Sequence, residues 1–183
     1  MDKDKQIIAE NDVDSYSIFN AKPIATPEEF AVILPHHVPV SALSETQEFL
    51  RLAGRRDREG VVLWIGKQSP DAFEITRVFI PGQSASRYHF EVPLEERIRI
   101  ALSLAEEEIV VAQVHSHPEQ AFHSPTDDRK AMVDRHWALS IVVPDFCRAG
   151  LQNLDASATF ALRGPLDWVQ LSQEQIRRVF IIR

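Results

Sequence analysis

The feature that most constrains this chain is an apolar run that ends in two histidines one residue apart. Residues 109–114 read Ile-Val-Val-Ala-Gln-Val and predict a β-strand that leads directly into His115 and His117. Side chains repeat along a strand with a period of two, so both imidazoles should point to the same side of the sheet. Pro118 then ends the strand. Two histidines in this register predict a metal site, and hydrogen bonding at a strand end is the simpler alternative.

The segment after the histidines predicts a helix start that brings a carboxylate to the same place. Ser124 is followed by Pro125, an order that is typical of an N-terminal cap with proline at the first helical position. Asp127 then falls in the first helical turn. Two imidazole nitrogens and one carboxylate oxygen leave the fourth position of a tetrahedral zinc ion open, which is the arrangement of a catalytic and not of a structural zinc site.

Composition limits what kind of protein this is. The 183 residues fit one domain, and 44% hydrophobic with 26% charged residues is ordinary for a globular chain of this length. The formal net charge of -7 disfavours nucleic-acid binding, because neutralising phosphates requires a basic surface. The single cysteine, Cys147, excludes an internal disulfide and a cysteine-based zinc finger, and it disfavours a zinc deaminase, which needs a pair of cysteines. No apolar segment follows the polar start, so we expect a cytoplasmic protein with no membrane partner.

Patterns along the chain predict an α+β fold with an α/β-like three-layer arrangement, in which helices flank a mixed β-sheet. Residues 1–28 are polar and interrupted by prolines, so they predict an N-terminal arm before a domain over residues 29–183. Strands are predicted at residues 30–34, 60–66, 73–80, 109–114, 137–143 and 158–162, and a further apolar stretch follows at 168–171. Helices are predicted at residues 40–55, 94–108 and 127–136, and a helix or strand closes the chain at 172–182, with Ser172 and Gln175 as a capping box.

The order His115-x-His117-Pro118, followed by Ser124-x-x-Asp127, resembles the signature of the JAMM zinc metallopeptidases, which are also called MPN-plus or JAB proteins. Members of this family hydrolyse isopeptide or peptide bonds at the C-terminus of ubiquitin, ubiquitin-like or sulfur-carrier proteins. The resemblance covers most of the chain and implies the JAMM/MPN fold, which is similar to the cytidine-deaminase-like architecture. The compact chain and its motif look more like the bacterial members than the eukaryotic subunits.

The resemblance implies a role for each residue of the motif. His115, His117 and Asp127 would bind one Zn²⁺ per chain, and Ser124 would donate a hydrogen bond to the oxyanion of the tetrahedral intermediate. The family also uses an upstream glutamate before an apolar strand, and Glu59 matches that position. Glu59 would take a proton from the attacking water and pass it to the leaving amine. Without the resemblance, Glu59 is an ordinary solvated acid at a helix end.

Two positions depart from the family pattern. Five residues separate Pro118 from Ser124, one fewer than is common in the family, so the shorter loop should change the approach to the zinc without removing a ligand. His123 stands where many members have another residue type, and it is a candidate metal contact, substrate contact or solvent-facing loop residue. Asp128 competes with Asp127 for the third ligand position, but the Ser-x-x-Asp spacing favours Asp127.

The resemblance therefore implies a zinc isopeptidase or peptidase that cleaves after the C-terminus of a ubiquitin-like protein. The substrate tail would lie extended along residues 82–92, where Arg87 and Tyr88 are candidate contacts. Bacterial members often accompany activating-like and conjugating-like enzymes, including in antiphage defence, so such enzymes are candidate partners. Two alternatives stay open: a hydrolase that releases an amino acid such as cysteine from a sulfur-carrier C-terminus, and a catalytically silent scaffold that binds partner proteins.

Overall fold

The computed structural model describes residues 21–152 and 154–183, and in these residues it has ten strands, five α-helices and one short 3-10 turn at Asp145–Cys147. The strands are β1 (His36–Val38), β2 (Val61–Gln68), β3 (Phe73–Phe79), β4 (Ser84–Ser86), β5 (His89–Glu91), β6 (Ile109–Ser116), β7 (Leu139–Val143), β8 (Ala158–Gly164), β9 (Asp167–Gln170) and β10 (Phe180–Ile182). The helices are α1 (Pro27–Ala31), α2 (Val40–Gly54), α3 (Leu94–Ser103), α4 (Pro125–Lys130) and α5 (Gln173–Val179). None of these described helices has the length and apolar character that crossing a lipid bilayer requires.

Eight of the strands form one mixed sheet in the order β10-β1-β3-β2-β6-β7-β8-β9, and β4 pairs with β5 in a separate hairpin. Strand β1 runs parallel to both β10 and β3, and β6 runs parallel to β7. The pairs β2–β3, β2–β6, β7–β8 and β8–β9 are antiparallel. The predicted α+β class, with helices flanking a mixed sheet, is therefore confirmed.

Alternate residues of the central strand β2 contact different helices. Val62 and Trp64 pack in the largest apolar cluster, together with residues of α2 and α5. Leu63 lies on the opposite face, where it packs with Ile100 of α3. Because both faces are covered, the strand is apolar almost without alternation, as its sequence predicts. His115 pairs with Val61, so its side chain lies on the α3 side of the sheet.

Several local signals predict their elements correctly. The helix predicted at residues 40–55 is α2, and the apolar run at 60–66 forms the buried part of β2. Ser172 Oγ accepts a hydrogen bond from Gln175 N at 3.3 Å, and Gln175 Oε1 accepts one from Ser172 N at 2.8 Å. This confirms the predicted capping box. The closing segment, predicted as a helix or a strand, forms helix α5 and then the short strand β10.

The strand predicted at residues 30–34 is wrong, because this stretch begins inside α1 and continues as a turn. Thr26 Oγ1 accepts a hydrogen bond from Glu29 N at 3.2 Å, and Glu29 Oε2 accepts one from Thr26 N at 2.8 Å. Pro27 occupies the first helical position. This capping box stabilises a helical turn, so the apolar run that follows does not extend until after Pro35.

Helix α4 is shorter than the predicted helix over residues 127–136. It begins at Pro125 and ends at Lys130. Met132 N then donates a hydrogen bond to Gln113 Oε1 on β6 at 2.8 Å. The side-chain carbonyl takes an amide hydrogen that a further helical turn would have used, and such a tertiary contact leaves no trace in the periodicity of the sequence.

Three apolar side chains of helix α3 are exposed to solvent. Leu94, Ile98 and Leu102 are 68%, 51% and 82% exposed, whereas Ile100 is buried. The helix also ends at Ser103, before the predicted end at residue 108. The apolar spacing predicts the existence of this helix correctly, but the face that meets the sheet is a different one.

The connection from α3 into β6 is held by Glu108. Arg77 donates to both carboxylate oxygens, from Nε at 3.1 Å and from Nη2 at 2.7 Å, and Ala105 N donates to Oε2 at 3.0 Å. The hydrogen bonds from Arg77, and then that from Ala105, lower the pKa of Glu108 to about 2. Because this pKa lies below its ordinary value of 4.5, the stabilisation is present above pH 4.5 and is lost as the pH falls towards 2.

Replacing Glu108 with glutamine should lower the free energy of unfolding by about 1–3 kcal/mol at pH 7, because charge-assisted hydrogen bonds are lost. The difference from the wild type should shrink as the pH is lowered from 4.5 towards 2, which urea unfolding at several pH values measures. Glu107→Gln is the matched control: its side chain is 75% exposed and pairs with Lys67 at 3.2 Å. That change should cost less than about 0.5 kcal/mol, and equal losses at the two positions would contradict the prediction.

Residues 21–25 of the predicted arm lie along the outer edge of β9. Ala25 N donates to Gln170 O, and Gln170 N donates to Pro23 O, both at 2.8 Å. This short parallel pairing gives the edge strand a partner. Residues 1–20, which are most of the predicted arm, lie outside the described part of the chain.

Candidate metal centre

The end of β6 presents two histidines to one side of the sheet. His115 is the last residue but one of the strand, and His117 follows it, with its N–H donating to Val143 O on β7 at 2.9 Å. Both imidazoles are buried, and their ring centroids are 5.1 Å apart. The two histidines therefore lie together, as the period of a strand predicts.

Asp127 joins this pair from the start of α4. Ser124 Oγ accepts a hydrogen bond from Asp127 N at 3.2 Å, and Asp127 Oδ2 accepts one from Ser124 N at 2.8 Å, so the predicted helix start is a capping box. Asp127 Oδ1 lies 3.4 Å from His115 Nε2, and Oδ2 lies 3.6 Å from His117 Nε2. One ligand atom from each of the three residues lies within 4.8 Å of the others. The structure thus brings the three predicted ligands together.

The unmet bonding capacity of this group fits a metal ion. Both ring nitrogens of His115 are buried without a hydrogen-bond partner, and leaving one such atom unpaired costs about 1–3 kcal/mol. The 3.4 Å contact to Asp127 is longer than a typical N–H···O hydrogen bond. A cation between the two imidazoles and the carboxylate would pair the donor atoms of all three. Two nitrogens and one oxygen are a donor set that suits zinc with one open position.

The electrostatics of the group also favour a cation. Burial would raise the pKa of Asp127, but the neighbouring His115 and His117 outweigh burial and hold this pKa well below its ordinary value. Burial lowers the pKa of His117. The carboxylate is therefore ionised and the imidazole is neutral, which are the forms that bind metals.

Glu59 lies beside His117, just before the start of β2. Ser116 N donates to Gly60 O at 3.1 Å, one step beyond the last paired residues of β2 and β6. Continuing this antiparallel register places Glu59 opposite His117, and residues opposite each other in such a pair point to the same face. The upstream glutamate of the resemblance therefore reaches the same side of the sheet as the candidate ligands.

The Glu59 carboxyl group differs from the Asp127 carboxylate in its protonation. It is 5% exposed, and burial, followed by the negative charge of Asp127, raises the pKa of Glu59 to about 8. Glu59 is thus not the solvated acid of the simpler interpretation. Two neighbouring carboxyl groups whose pKa values are displaced in opposite directions are typical of a site that separates charge stabilisation from proton transfer.

The hairpin of β4 and β5 lies beside the start of β2, next to Glu59, where β3 does not reach. Glu59 N donates to Ser86 O at 2.9 Å. Gln83 uses its side-chain amide as a neighbouring strand would use its backbone: Oε1 accepts from Val61 N, and Nε2 donates to Val61 O, both at 2.8 Å. Residues 82–92, which were predicted as a loop or edge, therefore hold the backbone that carries Glu59.

Arg87 and Tyr88 lie at the turn of that hairpin. Tyr88 is 62% exposed and accepts a hydrogen bond from Arg87 Nε at 3.0 Å. Arg87 also pairs with Asp57, and its Cζ lies 5.8 Å from the centroid of the Phe146 ring. Both residues are thus placed on the hairpin that borders Glu59, and their roles as substrate contacts stay predictions.

His123 is 2% exposed, so the solvent-facing alternative is wrong. Its Nδ1 lies 2.8 Å from Asp128 Oδ1, and its Nε2 lies 3.0 Å from Ser140 Oγ, so neither nitrogen is available to a metal in this arrangement. Burial lowers the pKa of His123. Asp128, the competing ligand, is also engaged, since its Oδ2 lies 2.6 Å from Lys22 Nζ. A substrate contact by His123 stays a prediction, and its burial disfavours one.

A left-handed turn that sequence reasoning missed holds the loop after His117. Residues Asp145–Cys147 have φ angles of 50°, 50° and 61°, a conformation that costs non-glycine residues roughly 1–2 kcal/mol each. Phe146 N donates to His117 O at 2.8 Å, and Asp145 N donates to Glu119 O at 2.9 Å. No glycine marks this turn, so the sequence carries no local signal for it.

Comparison with known proteins identifies relatives of the chain. It is 33% identical over 150 residues to the probable metalloprotease y4jG of Sinorhizobium fredii (strain NBRC 101917 / NGR234). The match covers 79% of this chain and 92% of that protein. The solution structure of protein DSY2949 from Desulfitobacterium hafniense is similar, with a TM-score of 0.58 and 17% identity over 81% of this chain and 92% of that one, and this likeness concerns the fold alone. No family model matches the sequence.

Proposed function

Because the chain belongs to the same metalloprotease family as y4jG, we propose that it is a zinc-dependent isopeptidase or peptidase of the JAMM type that cleaves after the C-terminus of a ubiquitin-like protein. The observation that carries the proposal is the buried group of His115, His117 and Asp127, in which the ring nitrogens of His115 are unpaired. Glu59, buried beside this group, supports a hydrolytic role. The ubiquitin-like substrate and the JAMM/MPN fold rest on the resemblance of the motif.

The proposed reaction divides its steps between the metal and Glu59. His115, His117 and Asp127 would hold zinc, which when bound polarises the scissile carbonyl group and increases the acidity of the attacking water. The positive charge of a bound metal would favour the ionised form of Glu59. In that form Glu59 accepts the proton that this water loses as its oxygen bonds to the carbonyl carbon. The same carboxyl group then gives that proton to the departing amine nitrogen as the C–N bond breaks.

Ser124 is the proposed donor to the oxyanion. Its Oγ accepts a hydrogen bond from Asp127 N, which leaves the hydroxyl hydrogen available, and no described residue accepts it. Donors that are held in place before the reaction stabilise the charge that develops on the carbonyl oxygen. The capping box would therefore orient one ligand and one catalytic donor together.

The substrate tail is proposed to lie extended beside residues 82–92. Tyr88 is exposed at the turn of this hairpin, and the backbone of the same hairpin bonds to that of Glu59. A tail beside it would pass Tyr88 and Arg87 before its last peptide bond reaches the metal. Activating-like and conjugating-like enzymes of the same system are the proposed partners.

One preparation of the full chain tests this function. Metal analysis should find one zinc ion per molecule, and the protein should cleave a ubiquitin-like protein that carries a C-terminal peptide extension. A sulfur-carrier protein with one added C-terminal cysteine is tested in parallel. Release of that cysteine, without cleavage of the extended ubiquitin-like protein, would favour the sulfur-carrier alternative. Chelator-treated protein is the control, and its activity should return with added zinc. Bound zinc without cleavage of either substrate would contradict the proposal and favour a silent scaffold.

A further inference from the structure

A second polar cluster lies beside the candidate metal centre and uses none of its three ligands. His123 is at its middle, with Nδ1 2.8 Å from Asp128 Oδ1 and Nε2 3.0 Å from Ser140 Oγ. Ser140 Oγ also accepts a hydrogen bond from Gln113 Nε2 at 3.0 Å. Lys22 Nζ donates to Asp128 Oδ2 at 2.6 Å. The proposed reaction gives none of these five side chains a role.

The hydrogen bonds of this cluster are mutually consistent for one tautomer of a neutral imidazole. A carboxylate only accepts, so His123 Nδ1 must donate to Asp128, and Nε2 is then an acceptor. Ser140 Oγ accepts from Gln113 and donates its own hydrogen to His123 Nε2. Gln113 Oε1 accepts a hydrogen bond from a backbone N–H, and Lys22 Nζ donates one to the second carboxylate oxygen of Asp128. Every polar group in the chain of bonds is paired, which is the condition for a buried network to fix one geometry.

The ring of His123 is also fixed by packing. Its centroid lies 4.8 Å from that of Phe160 and 4.7 Å from that of Trp168, and the residue is 2% exposed. The ring of His115 is 6.3 Å away. His123 is thus close to the metal centre, but it faces the aromatic side chains of β8 and β9.

The three candidate ligands do not by themselves fix the distance between helix α4 and the sheet. The capping box fixes Asp127 relative to Ser124, but both belong to the same six-residue helix and its cap, which cannot set their distance from the sheet. Of the other two ligands, His115 lies in β6 and His117 directly follows it, and Gln113 of β6 points to the same face as His115. Gln113 and Ser140 are paired residues of β6 and β7, so both belong to the sheet.

We propose that His123 is a positioning residue, which bonds to Ser140 on the sheet and to Asp128 on α4 and thereby sets the distance between Asp127 and the histidine ligands. His123 directly precedes Ser124, and Asp128 directly follows Asp127, so the cluster holds both ends of the segment that carries a ligand and a catalytic donor. Partners that orient metal ligands in this way typically change metal affinity by about 10–100-fold. The inference rests on the proposed zinc site. It goes beyond that site by assigning a positioning role to His123 and Asp128, the residues on either side of the segment.

The variant His123→Phe tests this role, because phenylalanine keeps the ring between Phe160 and Trp168 while it removes both hydrogen bonds. Zinc affinity, measured by competition with a chromogenic chelator, should fall about 10–100-fold. The visible absorption spectrum of the cobalt-substituted protein should change as well, because the ligand geometry shifts. His123→Asn retains a donor near the position of Nδ1 and should recover part of the affinity. Should His123→Phe not fold, Ser140→Ala removes the hydrogen bonds of Ser140 to His123 and Gln113 without adding volume, and it should also weaken zinc binding.

Thr46→Val is the matched control for a loss of stability alone. Thr46 Oγ1 accepts a buried hydrogen bond from Trp64 Nε1 at 2.9 Å on the opposite face of the sheet, so its loss should lower the melting temperature and leave zinc affinity unchanged. Wild-type affinity in His123→Phe and Ser140→Ala, with only their melting temperatures lowered, would overturn the inference while the zinc site stands. A wild-type chain that binds no zinc would overturn the proposed function and this inference together.

Discussion

Replacing His117 with alanine should lower zinc affinity by about 10²–10³-fold and abolish peptidase activity. Zinc sites with four protein ligands bind with apparent free energies of about 10–16 kcal/mol, so a single ligand accounts for roughly 3–4 kcal/mol. At about 1.4 kcal/mol per factor of ten, this loss corresponds to the stated range. Competition with a chelator measures the affinity, and metal analysis measures the zinc content of the purified variant.

His37→Ala is the histidine control for that measurement. His37 lies in β1, which is separated from β6 by β3 and β2, and its Nδ1 pairs with Glu74. This variant should bind zinc as the wild type does. Unchanged affinity and stoichiometry in the His117 variant would remove His117 from the ligand set, and an equal loss in both variants would indicate general unfolding.

Glu59→Gln should lower turnover by about 10³-fold and leave zinc bound, because the amide cannot accept and return a proton. General acid–base groups typically contribute about 10²–10⁴-fold, so the expected loss is near the middle of that range. The measurement is the rate of cleavage of the C-terminally extended ubiquitin-like substrate at saturating zinc. Unchanged turnover would remove Glu59 from this role, whereas a parallel loss of zinc would assign it to the metal site.

Although Glu59→Gln should lower turnover, it should stabilise the metal-free protein against unfolding. Burial raises the pKa of Glu59 from 4.5 to about 8, so the stability of the wild type is fully present below pH 4.5 and decreases as the pH rises through 8. Glutamine does not ionise, and Glu59→Gln should therefore unfold at a higher temperature than the wild type, with a difference that grows from pH 4.5 to 8. Glu45→Gln, at an exposed position on α2, is the control and should show no such trend.

Features of the chain that are complete within a few residues could be predicted from the sequence. The period of a strand brings His115 and His117 to one face, and the four residues from Ser124 to Asp127 contain a whole capping box. Central strand β2 shows its burial on both faces as an unbroken apolar run. In each case the physical cause lies in neighbouring residues, so the pattern contains the information.

Features that depend on residues distant in sequence could not be predicted in this way. His123 is buried because Phe160 and Trp168 enclose its ring, and both lie more than thirty positions away along the chain. Helix α4 stops early because Gln113 on β6 takes a backbone hydrogen from the segment that follows. The helix at Pro27–Ala31 is a different kind of miss, because Thr26 and Glu29 supply its capping signal within the sequence itself.

The short pairing of residues 23–25 with β9 occupies backbone groups on one edge of the sheet. β9 is the last strand of the sheet, and an edge strand with free N–H and C=O groups is a template on which another chain can add. Here the backbone of Gln170 bonds to Pro23 and Ala25, and proline offers no N–H to a further strand. Lys22, one residue earlier, binds Asp128. The same few residues therefore cover the β9 edge of the sheet and contact the helix that carries the third candidate metal ligand.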